Sequence, residues 1–294
     1  MTLRTPDGAP PESPTHRLAH LSDPHLTAVG TRYNESIDAD AALARAVSVL
    51  TKGTGLRPID ALVVTGDCTD SGDPDAYRRL AAALTEIAPL IVWVTGNHDV
   101  RTTFHAELLG GNSATATGPL LRVYDCAGLR IVALDSTIPG HGHGRLDPGH
   151  LNELADVLAV PAPYGTIVAL HHAPLPPPSP LLTYFALERR SREALARVVA
   201  GTDVRLVLAG HHHLAQSGTV GGVQVAIAGS TAIRTDPLAR PGHERTTTSA
   251  SINLVDVYSD TAVVSVVPVD DAAEVFDLDE AGCHGVITEH PADN

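Results

Sequence analysis

Apolar residues in this chain fall into short uninterrupted runs, separated by polar turns and by segments with helical spacing. Continuous apolar runs without alternation are typical of strands buried on both faces of a sheet. Five such strands are predicted: Ala61–Thr65, Leu90–Thr95, Ile131–Leu134, Thr166–Leu170 and Val204–Ala209. Because helical segments lie between them, the order of elements predicts an α/β fold.

Four amphipathic segments predict the helices. Two of them begin at Asp73-Pro74 and Asp147-Pro148, where an acidic N-cap precedes a proline at the first helical position. The other two, residues 38–51 and 191–200, repeat apolar residues at the spacing of one helix face.

The final third of the chain changes character. Val223–Ala228, Ile252–Tyr258 and Ala262–Val267 are rich in β-branched residues, with little helical pattern between them. They predict a second sheet packed on the first. The organisation expected from composition is a disordered leader over residues 1–16, a single domain over 17–270 and an acidic tail over 271–294.

Composition limits the classes of binding partner and the cellular compartment that are expected for this protein. The formal charge of −14 disfavours a nucleic-acid polymer or an anionic membrane as partner, because both attract clustered Lys and Arg. Three scattered cysteines do not form a disulfide framework, which favours a reducing compartment. No secretory signal and no apolar run long enough for a membrane span are expected, so a cytoplasmic location is predicted.

Polar clusters follow nearly every predicted buried strand, and ligand sites of α/β sheets lie at the carboxyl ends of strands. The clusters are Asp23-x-His25, Gly66-Asp67, Gly96-Asn97-His98-Asp99, His171-His172 and Gly210-His211-His212-His213. Taken singly, each has a plain structural alternative, such as a turn acid or a surface imidazole. Histidine clusters at two buried strand ends are hard to explain structurally, so the set as a whole favours a metal site.

The order D-x-H, G-D, G-N-H-D, H and G-H-x-H resembles the motif order of the calcineurin-like metallophosphoesterases. The match extends from Asp23 to His213. Within that superfamily, HLSDPHL, VWVTGNHD, PGHGHG and ALHHAP are similar to the bacterial class III cyclic-nucleotide phosphodiesterases. The resemblance implies a four-layer sandwich of two mixed β-sheets flanked by helices, and commonly a homodimer.

The resemblance also implies a centre of two metal ions, which can clamp the attacking and leaving oxygens of an in-line displacement. Carried over by motif, one ion takes Asp23, His25, Asp67 and His213, whereas the other takes Asp67, Asn97, His171 and His211. The implied nucleophile is a hydroxide that bridges the ions. Oxygen and imidazole ligands without thiolates suit Fe and Mn best, with Zn or Co as alternatives.

Two further residues receive catalytic roles through the resemblance. His98 follows the Asn ligand and is expected to bind a phosphate oxygen or to protonate the leaving alkoxide. Asp70 is the second acid of G-D-x-x-D and is expected to orient His98, although a turn or N-cap acid is the alternative. Protein phosphatases continue that motif with Arg-Gly, whereas this chain has Ser71-Gly72, so a phosphoprotein substrate is disfavoured.

The remaining histidines and aromatics leave alternatives open. His172 and His212 are interpreted as residues behind the ligands or at the surface, and the histidines of PGHGHG either line the substrate pocket or occupy an idle loop. Phe104, Tyr184 and Phe185 are candidate platforms for a base, while Trp93 is expected in a buried strand.

The predicted substrate is a cyclic nucleotide such as cAMP, cGMP or a 2′,3′-cyclic nucleotide, with the base held loosely. A glycerophosphodiesterase or a broad small-diester or monoester phosphatase on the same site, and a scaffold without catalysis, are the alternatives.

Overall fold

A computed structural model describes residues 12–52, 57–111, 118–270 and 275–289 of the chain. Contacts divide the chain into two units. One comprises Thr15–Asp270, and the other comprises the two terminal segments Met1–Pro14 and Asp271–Asn294.

The elements follow one another along the chain with few long connections. The strands are β1 (His16–Leu21), β2 (Ala61–Thr65), β3 (Ile91–Val94), β4 (Leu121–Cys126), β5 (Leu129–Leu134), β6 (Thr166–His172), β7 (Val204–Gly210), β8 (Gln216–Val220), β9 (Val223–Ile227), β10 (Arg234–Thr235), β11 (Thr246–Thr247), β12 (Ser251–Val257) and β13 (Ala262–Pro268). The helices are α1 (Ala39–Lys52), α2 (Pro74–Leu84), α3 (Arg101–Leu108), α4 (Pro148–Leu158), α5 (Pro180–Tyr184), α6 (Arg189–Val199) and α7 (Glu280–Glu289).

Two large mixed sheets form the framework. The first has the order β13-β12-β1-β2-β3, in which β1, β2 and β3 are parallel and β12 and β13 are antiparallel to their neighbours. The second has the order β4-β5-β6-β7-β9-β8, with a parallel centre of β5, β6, β7 and β9 and antiparallel edge strands. Strands β10 and β11 form a separate two-stranded ribbon.

Three apolar clusters fill the spaces between layers. One lies between the sheets, where Leu18 and Val63 of the first sheet meet Ile131 and Leu208 of the second. A second cluster packs α1, α2 and α3 on the outer face of the first sheet, and a third packs α4 and α6 on the outer face of the second. The order helix, sheet, sheet, helix confirms the predicted four-layer sandwich.

The helix starts agree with the sequence pattern. The Asp73 carboxylate accepts from the backbone N–H of Ala76, and the Asp147 carboxylate accepts from Gly149 and His150. These hydrogen bonds satisfy N–H groups that have no partner within the first turn of a helix.

The allocation of the final strands to a second sheet was wrong. Strand β9 joins the second sheet beside β7, whereas β12 and β13 extend the first sheet beside β1. Apolar periodicity shows that a strand is buried, but it carries no information on which strand is its neighbour.

The predicted termini are only partly covered by the structure. Residues 1–11 of the expected leader, and 271–274 and 290–294 of the expected tail, lie outside the described residues. Strand β1 begins at His16, and helix α7 lies within the expected tail. The domain boundaries therefore stay predictions.

Candidate metal centre

The two sheets bring their polar strand ends to one place. Parallel strands β1, β2 and β3 end before Asp23, Asp67 and Asn97. Parallel strand β6 carries His171 one residue before its end, and β7 ends before His211. The structure therefore brings all seven predicted ligands together: Asp23, His25, Asp67, Asn97, His171, His211 and His213. Asn97 and His213 are half-buried, and the other five are buried.

The backbone at these positions is unusual. Five of the seven predicted ligands have positive φ: Asp23 at 52°, His25 at 47°, Asp67 at 48°, His211 at 69° and His213 at 49°. Non-glycine residues rarely adopt this region, and such strain is typically concentrated at functional sites.

Glycine is required where the strand ends approach each other. A Cβ on Gly96 would lie 2.0 Å from the Asp67 nitrogen, and one on Gly210 would lie 1.9 Å from Ser22 Oγ. The glycine that precedes Asn97 and the one that precedes His211 are therefore part of the packing of the site.

The first predicted ligand set forms a tight group. His25 Nε2 lies 3.1 Å from His213 Nε2 and 3.6 Å from Asp67 Oδ2. His213 Nε2 lies 3.2 Å from Asp23 Oδ1. The other Asp23 oxygen, Oδ2, accepts from the backbone N–H of His211, which holds the carboxylate in place.

The second predicted set surrounds His171 Nε2. This nitrogen lies 3.0 Å from Asn97 Oδ1, 3.1 Å from His211 Nδ1 and 3.5 Å from Asp67 Oδ2. The same Asp67 oxygen thus faces both sets, while Oδ1 of that carboxylate accepts from the His98 backbone N–H at 2.9 Å.

The hydrogen bonds on the far sides of the rings determine where the protons are. His171 Nδ1 donates to the Thr65 carbonyl at 2.8 Å, and His211 Nε2 donates to the Phe185 carbonyl at 3.0 Å. Such bonds to the distal nitrogen orient imidazoles for metal binding. In the neutral form of both rings, His171 Nε2 and His211 Nδ1 therefore present lone pairs to each other, and His171 Nε2 also faces the Asn97 amide oxygen and the Asp67 carboxylate.

Lone pairs at this separation repel unless a cation lies among them. An ion about 2.1 Å from each ligand atom, at angles between octahedral and tetrahedral values, separates neighbouring ligand atoms by about 3.0 to 3.4 Å. The six distances given above run from 3.0 to 3.6 Å. Among the described residues, buried Asp23 Oδ1 also has no hydrogen-bond partner. The donor sets therefore fit metal ions.

The charges of the predicted ligands themselves point the same way. Although burial lowers it, the charges of Asp67 and Asp23 raise the pKa of His171 to about 9. Burial raises the pKa of Asp23, but the neighbouring His213 and His171 outweigh burial and lower it to about 2. The two carboxylates of the centre thus stabilise a positive charge on His171, whereas burial lowers the pKa of His25 and of His211 and keeps those rings neutral.

His98 and Asp70 are adjacent, as predicted. His98 Nδ1 lies 3.0 Å from the Asp70 carbonyl oxygen and 3.2 Å from Asp70 Oδ1. Asp70 Oδ1 also lies 3.7 Å from His25 Nδ1, so this carboxylate links a predicted ligand to the predicted acid. Burial lowers the pKa of His98, but Asp67 and Asp70 outweigh burial and raise it above its ordinary value.

His172 groups spatially with His171 and His211, but both of its ring nitrogens are already engaged. Ser136 Oγ lies 2.9 Å from Nδ1, and Nε2 donates to the Gly142 carbonyl. Burial lowers the pKa of His172 to about 3, so the ring is a neutral support for the loop that carries Gly142.

The other histidines next to the motifs fall outside the two sets. His212 is buried and its Nδ1 lies 2.8 Å from Gln216 Oε1, so neither it nor His172 lies at the surface. His141 is exposed, and neither His141 nor His143 is among the described residues that line the cleft over the centre.

The aromatic residues considered as platforms for a base differ in burial and in their position relative to the cleft. Phe104 is 1% exposed in the core and cannot receive a base, and Trp93 is buried as expected. Tyr184 is 78% exposed and lies outside the cleft lining, whereas Phe185 lines the cleft.

Two supporting residues received no role from the sequence. The half-buried Asp99 carboxylate accepts from the backbone N–H groups of Gly96, Cys68 and Thr69, which ties the loop after β2 to the loop after β3. Tyr33 stacks on the His25 ring at 4.3 Å. Asp99 was visible as the last residue of G-N-H-D, whereas no local pattern marks Tyr33.

No helix among the described residues is long and apolar enough to span a membrane.

Two bacterial proteins are similar in sequence over most of the chain. A probable cyclic nucleotide phosphodiesterase of Rhodococcus erythropolis is 44% identical over 260 residues, which are 87% of this chain and 84% of that protein. A cAMP/cGMP dual specificity phosphodiesterase of Mycobacterium tuberculosis is 43% identical over 260 residues, with 87% and 80% covered. These relatives confirm the predicted likeness to bacterial cyclic-nucleotide phosphodiesterases.

A solved structure supports the fold. The purple acid phosphatase PPD1 from yellow lupin superposes with a TM-score of 0.61 at 13% identity, over 92% of this chain and 54% of that one. The family model of the calcineurin-like phosphoesterases matches residues 16–215, the range that contains every predicted ligand. The chain belongs to the calcineurin-like phosphoesterase family.

Proposed function

We propose that this chain hydrolyses cyclic nucleotides to nucleoside monophosphates at a centre of two metal ions. The observation that carries the proposal is the pair of ligand sets that share Asp67 Oδ2. The 43–44% identity to cyclic nucleotide phosphodiesterases supports the substrate class.

In this proposal Asp23, His25, Asp67 and His213 hold one ion, and Asp67, Asn97, His171 and His211 hold the other. The bound ions would supply a water of lowered pKa and a positive site for the phosphate oxygens. The chain contributes rigidity, because backbone carbonyls accept from the distal nitrogens of His171 and His211, and Oδ2 of Asp23 accepts from a backbone N–H. Such preorganisation lets ligands keep their geometry during turnover.

His98 acts as phosphate binder and general acid. Its Nδ1 is held by Asp70, so Nε2 is the nitrogen left for the substrate in the cleft that His98 lines. Asp70 keeps the ring in this orientation, and a proton delivered from Nε2 would neutralise the departing ribose oxygen.

Fe and Mn are the proposed ions, with Zn or Co as alternatives, because the ligands are imidazole and oxygen without thiolate. We propose a homodimer on the resemblance to the family, and light scattering of the purified protein tests it. A cytoplasmic location is proposed from the three scattered cysteines, all free in the structure.

The deciding experiment is a panel of turnover rates for the metal-reconstituted protein. It should contain cAMP, cGMP, 2′,3′-cyclic nucleotides, glycerophosphodiesters and monoesters. The proposal expects cyclic nucleotides to be cleaved with the highest kcat/KM. Fast cleavage of a glycerophosphodiester or a monoester with no turnover of any cyclic nucleotide would replace it by the alternative substrate, and no hydrolysis at all would favour a scaffold.

A further inference from the structure

The cleft above the metal centre has two walls of different chemistry. One wall consists of predicted ligands and of His98. The other is formed by α5 and the residue after it, together with polar side chains of strands β10 and β11 and of the loop between them: Leu181, Leu182, Phe185, Thr235, Glu244 and Thr246. A phosphate on the metals would direct its remaining group towards this second wall.

We infer that Phe185 is the surface on which the nucleobase of the substrate stacks, an inference that rests on the proposed function. Among the described residues that line the cleft, Phe185 is the one with a Phe, Tyr or Trp ring. Nucleobases stack on such rings irrespective of sequence because every base has a π-face.

Phe185 lies at a fixed place relative to the metal centre. Its carbonyl oxygen accepts from His211 Nε2 at 3.0 Å, and the opposite nitrogen of the same imidazole faces the second ligand set. Only the width of one imidazole therefore separates the Phe185 backbone from a ligand atom. A ribose that links a metal-bound phosphate to a base spans a similar gap.

The Phe185 ring is also held in place. Its half-buried side chain packs so closely on Gly142 that a Cβ there would lie 2.6 Å from ring atom Cδ1. The Tyr184 ring meets it edge to face at 5.2 Å and 87°. An ordered platform loses little conformational entropy when a base stacks on it.

The one charged side chain described in this wall disfavours a second anionic group there. Glu244 is the charged side chain among the described residues of the wall, and its Oε1 accepts from the Leu181 backbone N–H at 2.9 Å. A carboxylate repels phosphate but tolerates an uncharged base. A carboxylate would attract a quaternary ammonium such as choline, but such cations are recognised by cages of several aromatic rings. One aromatic ring, with two leucines in the same wall of the cleft, suits a flat base better.

The test compares Phe185→Ala with Phe276→Ala, the same substitution at a 74% exposed position. Each metal-loaded variant and the wild type are assayed with cAMP and with methyl p-nitrophenyl phosphate, a diester without a base. Phe185→Ala should lower the ratio of kcat/KM for cAMP to that for the diester by about 5- to 150-fold, the effect of losing one stacked base. Phe276→Ala should leave the ratio unchanged.

A second measurement separates this inference from the proposed function. Inhibition of diester hydrolysis by 5′-AMP is compared with inhibition by inorganic phosphate, which requires no turnover of cAMP. Phe185→Ala should raise Ki for 5′-AMP by a similar factor and leave Ki for phosphate in place. If the wild type cleaves the diester but not cAMP, the proposed function fails and the 5′-AMP inhibition still decides the role of Phe185.

An unchanged cAMP-to-diester ratio together with an unchanged Ki for 5′-AMP would overturn the inference. So would a loss in Phe185→Ala restricted to glycerophosphocholine, because the aromatic ring would then serve a cation. Metal content and circular dichroism of each variant confirm that the comparison is between folded, loaded proteins.

Discussion

Replacing His98 by alanine removes the nitrogen that the proposal assigns to the leaving group without removing a predicted ligand. General acid catalysis typically contributes about 10²- to 10⁴-fold to a rate. The His98 side chain is 39% exposed, so water can take over part of the proton donation. We therefore expect a loss in the lower half of that range, about 10²- to 10³-fold in kcat for cAMP.

The assay compares two leaving groups on the same variant. A nitrophenyl diester loses a stabilised phenolate that needs little protonation, so His98→Ala should slow it much less than cAMP. His141→Ala is the matched control, because this exposed histidine lies outside the cleft lining. Metal content should equal that of the wild type. Equal losses on both substrates would make His98 a phosphate binder only, and loss of metal would refute its placement outside the ligand sets.

Asp67→Asn should lower metal content and abolish activity, because one Asp67 oxygen faces both ligand sets. The circular dichroism spectrum should stay native. Full metal content in that variant would contradict the shared position of Asp67. Gly96→Ala should also impair metal binding, because its Cβ would lie 2.0 Å from the Asp67 nitrogen, whereas Gly118→Ala places its Cβ in open space and should bind metal normally. Burial lowers the pKa of His20 to about 3 in the folded protein, whereas the pKa is about 6.5 in the unfolded chain. Below pH 6.5 the unfolded chain therefore binds a proton that the folded protein does not, and the free energy of unfolding should fall. His20 alone should contribute about 2 kcal/mol of that loss between pH 7 and pH 5, and urea unfolding of His20→Gln should show a correspondingly flatter pH dependence.

Much of the site could be predicted because its residues directly follow the predicted strands in the sequence. A strand that is buried on both faces shows itself as a continuous apolar run, and the carboxyl ends of parallel strands meet at one edge. The polar residues after each run, such as Asp67 and His171, therefore had to lie near one another once the strands were parallel. The Asp-Pro helix starts were equally local, since an N-cap bonds within its own turn.

What the sequence could not show depends on contacts between distant segments. Helix α3 lacks a strong amphipathic pattern, and its N-cap residue Val100 makes no side-chain hydrogen bond, so it has no start signal. The burial of His172 depends on Ser136 and Gly142, more than 25 residues away in the chain. Phe185 became distinct from Phe104 only when the fold placed one in the cleft and the other in the core.

The most direct test of the account is a metal titration of the apo-protein followed by cAMP turnover. Two ligand sets that share one carboxylate predict that activity rises with added ions and reaches its plateau at two equivalents per chain, with AMP as product. Full activity at one equivalent would contradict the two-ion centre. Absence of cAMP turnover at any loading would contradict the proposed reaction.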